Sequence, residues 1–150
     1  MPRTSSPIVD EDLVGRLRFS VTRLSRLLRQ QDESGLSPTA TAMLATIGRA
    51  GPLTLGELAA SEQVAPPTIT KVIDRLEDAG FVDRIPDAGD KRVCRVVLTP
   101  AGHQQLDDNR TRRTVWLAER LAALPTDDRN RLDDLVEMLE HLIVPGGDAR

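Results

Sequence analysis

Between Phe81 and Gly102 the chain reads FVDRIPDAGDKRVCRVVLTPAG, and here the hydrophobic rhythm has period two. Two runs rich in Val and Ile, FVDRI and VCRVVL, flank seven residues, PDAGDKR, that carry two acids and two bases. Period-two runs around a Pro/Gly/Asp loop read as a β-hairpin. A tight hairpin turns in about two or three residues, so this loop, ending in Lys91 and Arg92, projects well past its strands. A long, charged hairpin tip in an otherwise helical chain restricts the fold to a mainly α architecture with one small β element.

The helices are marked by their ends. From Asp10 to about Gln31, Val14, Leu17, Val21, Leu24 and Leu28 step by three, four, three and four. That is the seam of a helix packed along another helix. Ser37 as cap, Pro38 in the first turn and Gly51 as stop predict a second helix over 38–50. Thr54 and Glu57 form a capping box for a short third helix near Leu55. A fourth, about 66–79, keeps Ile69, Val72, Ile73 and Leu76 on one stripe and stops at Gly80. Thr99 and Pro100 start a helix to about 123. Thr126 is the expected cap of a last one over 126–143, where Leu132, Leu135, Leu139 and Leu142 repeat the three-four step. Residues 1–9 and 145–150 read as flexible tails, leaving a domain over 10–144. Its end helices, 10–31, 100–123 and 126–143, carry more apolar surface than a small centre covers, so a second copy in a two-fold homodimer is expected.

Composition narrows the function. The chain is 39% hydrophobic and 29% charged, ordinary for a globular protein. No apolar run is long enough for a bilayer, and the N-terminus lacks the apolar core of a signal peptide, so the expectation is a cytoplasmic chain with no membrane contact. The lone Cys94 cannot form an internal disulfide; its alternation with Val96 and Leu98 predicts a buried small hydrophobe. His103 and His141 are far apart, and no catalytic, metal or phosphate-loop motif occurs. The reading is a non-enzyme without cofactor or metal. At a net charge of −3, any attraction to nucleic acid must come from a local basic patch.

Such a patch is available. Two short helices, about 55–61 and 66–79, joined by EQVA, make a helix-turn-helix over 55–79. Burying the apolar stripe of the second turns Pro67, Thr68, Thr70, Lys71 and Arg75 outward, residue types suited to phosphates and base edges. The hairpin over 81–98 then becomes a wing, whose Lys91 and Arg92 suit the negative potential of the minor groove. Asp90 is placed to orient Arg92 through a charge-assisted hydrogen bond. The chain's two lysines, Lys71 and Lys91, fall on these two elements.

The stretch LTLGELAASEQVAPPTITKVIDRLEDAGFVDRIPDAGDKRVCRVVLTPAG resembles the winged helix-turn-helix core of the MarR family of bacterial transcription regulators. DKRVCRVVLT fits the family's wing signature, D-x-R-x-x-x-x-x-L-T, at Asp90, Arg92, Leu98 and Thr99, and the flanking helices fall where the family places its dimerisation helices. The resemblance implies sequence-specific binding to double-stranded DNA by a homodimer on a palindromic operator, usually as a repressor. It also implies release by a small aromatic or phenolic ligand, in a pocket that would fall near Phe19, Arg23 and Trp116. This chain has Gln63 where a glycine is common in the turn, and Ala65 where a serine commonly caps the recognition helix, with Pro66 and Pro67 compensating by having no N–H to satisfy. The alternative reading is a winged-helix module for protein–protein contact.

Overall fold

The computed structural model describes residues 10–144; the two tails lie outside them. The described residues divide into two compact units, the first ending at Arg113 and the second beginning at Thr114.

The first unit contains α1 (Glu11–Arg29), α2 (Pro38–Ala50), β1 (Leu53–Thr54), α3 (Leu55–Glu62), α4 (Pro66–Asp78), β2 (Val82–Pro86), β3 (Cys94–Leu98) and most of α5 (Pro100–Ala122). Side-chain oxygens start most of these helices. Asp10 accepts from the Asp12 N–H at 3.0 Å, and Ser37 accepts from Ala40 at 3.2 Å. Thr54 and Glu57 close the expected capping box, each side chain accepting from the other's N–H at 3.1 and 2.8 Å. At Gly80, φ +78, α4 ends in a Schellman turn, with Phe81 N–H donating to Leu76 O and Gly80 N–H to Glu77 O, both at 2.9 Å.

The three strands form an antiparallel sheet in the order β1-β3-β2. Val82 faces Leu98, Arg84 faces Val96 and Pro86 faces Cys94, while β1 sets Leu53 against Val96. β1 was not foreseen, since two residues carry no periodicity. Val82 and Val96 bring the sheet's inner face onto a core of Met43, Leu44 and Ile47 from α2, Leu58 from α3, and Ile69, Val72, Ile73 and Leu76 from α4. Each such side chain contributes roughly 1.5–3 kcal/mol by leaving water, and this packing fixes α4 beside the wing. α1 buries nothing: Val14, Leu17, Val21 and Leu24 of its seam are exposed and Leu28 is half-buried.

The second unit holds the end of α5, α6 (Thr126–Arg129) and α7 (Leu132–Ile143). Here the expected single helix over 126–143 is corrected to two pieces. Thr126 is the first helical residue and not the cap, a position held by Pro125 without a side-chain bond. Arg131 N–H turns back to Asp128 O at 3.1 Å instead of extending the ladder. The break falls at Asn130, a residue type of low helix propensity. On α7, Leu135 and Leu142 are exposed and Leu132 and Leu139 half-buried.

Cys94 is a second correction. It lies on the same side of β3 as Val96, but it is exposed. Paired with Pro86 at the far end of the ladder, it stands beyond the last core residue.

Candidate nucleic-acid interface

The helix-turn-helix is α3, a tight turn and α4. Gln63 makes the turn in the left-handed region, φ 52 and ψ 40, with its N–H bonded to Ala59 O. That conformation is costly for a residue with a Cβ and is stabilised here by the core on both sides. As expected, Ala65 caps α4 with no side-chain bond. Pro66 and Pro67 have no N–H, and Thr68 N–H is used on Ala65 O at 2.9 Å. The helix dipole remains at this end, but few N–H donors are left for an anion, so contacts must come from side chains.

Those side chains face solvent. Pro67, Thr68, Thr70, Lys71 and Arg75 are all exposed while Ile69, Val72, Ile73 and Leu76 are buried. The Thr70 hydroxyl donates to Pro66 O at 3.2 Å, so it presents acceptor lone pairs outward. Among the described residues no acid pairs with Lys71, Arg75 or Lys91.

The wing tip is folded by two aspartates. Asp87 accepts from Gly89 N–H at 3.0 Å and Asp90 N–H at 3.1 Å, and its own N–H bonds Val93 O at 2.8 Å. Asp90 accepts from Arg92 three times, from N–H at 3.0 Å, Nε at 3.1 Å and Nη2 at 3.2 Å. The expected Asp90–Arg92 pair is therefore present, with the Arg92 side chain 91% exposed. The Arg92 guanidinium and then its N–H hold the Asp90 carboxyl below the usual carboxylate range.

Two arginines within the strands were not singled out from the sequence. Arg84 on β2 reaches α4, bonding Asp74 at 2.6 Å and also Glu77. The Asp74 bond, then the two acids' charges, raise its already high pKa against a desolvation that would lower it. Arg95 on β3 bonds Asp87, Glu57 at 3.1 Å and Pro52 O at 3.2 Å. Charged residues inside otherwise apolar strands were the available signal.

The residues expected near a ligand fall in different units. Phe19, 64% exposed, lines a surface depression of about 370 Å3 with Thr22, Arg23 and Arg26. Trp116 belongs to the second unit, where the Arg120 guanidinium stacks on its ring 3.6 Å from the centroid. The first unit has another cleft of about 390 Å3, lined by residues including Leu28 and Arg29 of α1, Asp32, Thr41 and Ala45 of α2 and its approach, and Arg113 of α5. Asp32 is partly desolvated, which would raise its pKa. Bonds from Ser34 and Thr41, with the Arg113 charge nearby, outweigh this and hold it low. Arg113 Nε is buried there with no hydrogen-bond partner among the described residues.

The comparisons with known proteins agree with this geometry. A family model described as MarR family matches residues 36–94, which include α3, α4 and the wing tip. The chain is 38% identical over 135 residues to an HTH-type transcriptional regulator of Mycobacterium tuberculosis, covering 89% of this chain and 94% of the relative. It is similar to the solved structure of a MarR family protein from Bacillus stearothermophilus, with a TM-score of 0.72 at 23% identity over 92% of this chain and 100% of that one. It is also similar to a mutant of S. aureus MepR bound to an oligodeoxyribonucleotide, with a TM-score of 0.70 at 19% identity over 87% and 97%. At those identities the two structures speak for the fold.

Proposed function

Because the chain belongs to the MarR family of HTH-type transcriptional regulators, we propose that it is a homodimeric repressor of a palindromic operator, released by a small-molecule ligand. One observation carries the reading: the outward row Thr68, Thr70, Lys71 and Arg75 stands on the same core as a wing whose exposed Arg92 is aimed by Asp90. In this reading α4 enters the major groove and supplies base choice. Lys91 and Arg92 enter the flanking minor groove and supply mainly attraction to phosphate and groove potential. The seven-residue loop is long because it must cross a phosphate backbone.

The exposed seam of α1 supports the dimer, since a second copy would take Val14, Leu17, Val21 and Leu24 out of water. For the ligand, the cleft at Arg29, Asp32 and Arg113 is a better candidate than the depression at Phe19 and Arg23. Arg113, which lines it, carries a guanidinium suited to an acceptor oxygen such as a phenolate or carboxylate. The test is a mobility-shift titration with the DNA upstream of the gene and with shuffled duplex, repeated across salt. Sequence-dependent, salt-sensitive binding is expected. Equal or absent binding to both duplexes would replace this reading with a protein-contact module.

A further inference from the structure

The wing carries two carboxylates near the surface proposed to meet DNA, and a carboxylate there repels the phosphates. Asp87 does so at a position that is only partly shielded, with its side chain 20% exposed. Its bonds show what it does instead. One oxygen takes the Arg95 guanidinium, and the other takes the N–H groups of Gly89 and Asp90. Asp90, placed by that bond, then grips Arg92 through Nε and Nη2. At the other end Arg95 is tied to Glu57, which with Thr54 closes the capping box of α3, and to the carbonyl of Pro52 before β1. The Arg95 side chain is 32% exposed, against 91% for Arg92. Its Nε and Nη1 donors are turned to the protein.

We propose that Arg95 and Asp87 are positioning residues for DNA binding: they form, with Glu57 and Asp90, a continuous relay that locks the wing-tip Arg92 to the start of the helix-turn-helix. The inference rests on the reading of α4 and the wing as a DNA surface. Without the relay, a seven-residue loop would leave its terminal arginine to search many rotamers, and ordering it on the groove would weaken binding. With it, Arg92 is held before DNA arrives. The planar fork of Arg95 is needed because it serves a carboxylate on each side, and a lysine has no such fork.

The test separates positioning from charge. Wild type and variants are titrated against a duplex selected by the wild-type protein from a random-sequence pool, at two salt concentrations, well below their thermal midpoints. Asp87→Asn removes a negative charge near DNA, so electrostatics alone would tighten binding. The relay requires instead that it weaken binding by about two- to tenfold per half-site. Arg95→Lys keeps the charge and should show a similar loss. Combining either change with Arg92→Ala should cost no more than Arg92→Ala alone, because the relay acts only through Arg92. In the free protein the Arg92 Nε–H resonance should lose its dispersion in both variants. That signal is independent of DNA. Binding by Asp87→Asn at or above wild-type affinity, or additive losses in the double variants, would overturn the relay while leaving the DNA surface standing. Should Asp87→Asn unfold, Arg95→Lys with unchanged affinity overturns it equally. Unaltered binding by Arg92→Ala would remove the wing from the DNA surface, and the relay with it.

Discussion

Gly102, in the first turn of α5, stands against the backbone of Phe81: a Cβ built on Gly102 would lie 2.1 Å from the Phe81 carbonyl oxygen. That oxygen already accepts from Thr99 N–H at 3.0 Å, and the Thr99 hydroxyl bonds Gly80 O at 2.6 Å. The end of α4, the start of the wing and the start of α5 are joined within one small knot of backbone.

In most helices Gly→Ala stabilises by about 0.5–1 kcal/mol. Here Gly102→Ala is expected to destabilise by about 1–3 kcal/mol, the usual range for overpacking. Thermal unfolding of the two proteins measures the sign directly, and a raised midpoint would contradict the close approach.

Gln63 is the opposite case. Its left-handed conformation, φ 52, carries a steric cost of roughly 1 kcal/mol that glycine avoids. Gln63→Gly should therefore raise stability only slightly, by at most about 0.5 kcal/mol once the entropy of the added glycine is set against it. DNA affinity should be unchanged, because the turn keeps its shape. Denaturant titration alongside a binding isotherm tests both parts.

Acid should dismantle the wing network and the Asp32 site. Asp87 is held below the ordinary carboxylate range first by Arg95, then by the N–H groups of Gly89 and Asp90. Glu57 is held low first by the Thr54 N–H, with Arg95 adding to it against a smaller desolvation. Asp32 and Asp90 are lowered too. Groups with depressed folded pKa values stabilise fully above their unfolded values, and that contribution is lost as pH falls through the folded ones. Stability should be level from neutrality to about pH 5 and decline below about pH 4, where free carboxyls begin to protonate. In Asp87→Asn the decline should be shallower.

Recognition helix and wing should differ in kind. Lys71→Ala is expected to cost roughly 1–3 kcal/mol per half-site and relax preference at particular base pairs. Arg92→Ala should weaken operator and shuffled duplex alike, flattening the log–log salt dependence by about one unit per cation removed from each half-site. Thr70, whose proton is taken by Pro66 O, offers an acceptor, so Thr70→Val should matter most where adenine N6 or cytosine N4 faces it. Isotherms on both duplexes at two salts decide each case.

A charge in the exposed seam should expose the assembly. Wild type is expected near twice 16.5 kDa by light scattering, and Leu24→Asp should shift it toward one copy or unfold it. A wild-type monomer would contradict the dimer.

What the sequence disclosed depended on the range of the chemistry. Helix starts were legible at Ser37, Thr54 with Glu57, Pro66 and Thr99, because caps act over three residues or fewer in the chain. Asp90 with Arg92, two apart, was legible for the same reason. β1 was not, since Leu53 and Thr54 are a strand only through Val96 and Arg95. Nor were two of the three partners of Arg95, which lie 38 and 43 positions away at Glu57 and Pro52. For Cys94 the alternation gave the side of the strand correctly, but alternation says nothing of how far the core extends beneath it. The cleft at Asp32 and Arg113 joins segments that no local pattern relates.

The two prolines that open α4 have a consequence for timing and phase. An ordinary helix frays at its leading turn, and its first side chains then wander relative to the rest. Pro66 and Pro67 hold φ near −65° before the chain folds at all, so the leading turn has little freedom left to lose. Thr68, Thr70 and Lys71 are thereby kept in one rotational phase about the helix axis. On a surface proposed to read DNA with so few side chains, a single error in phase would be costly, and this chain has placed its stiffest residues where such an error would begin.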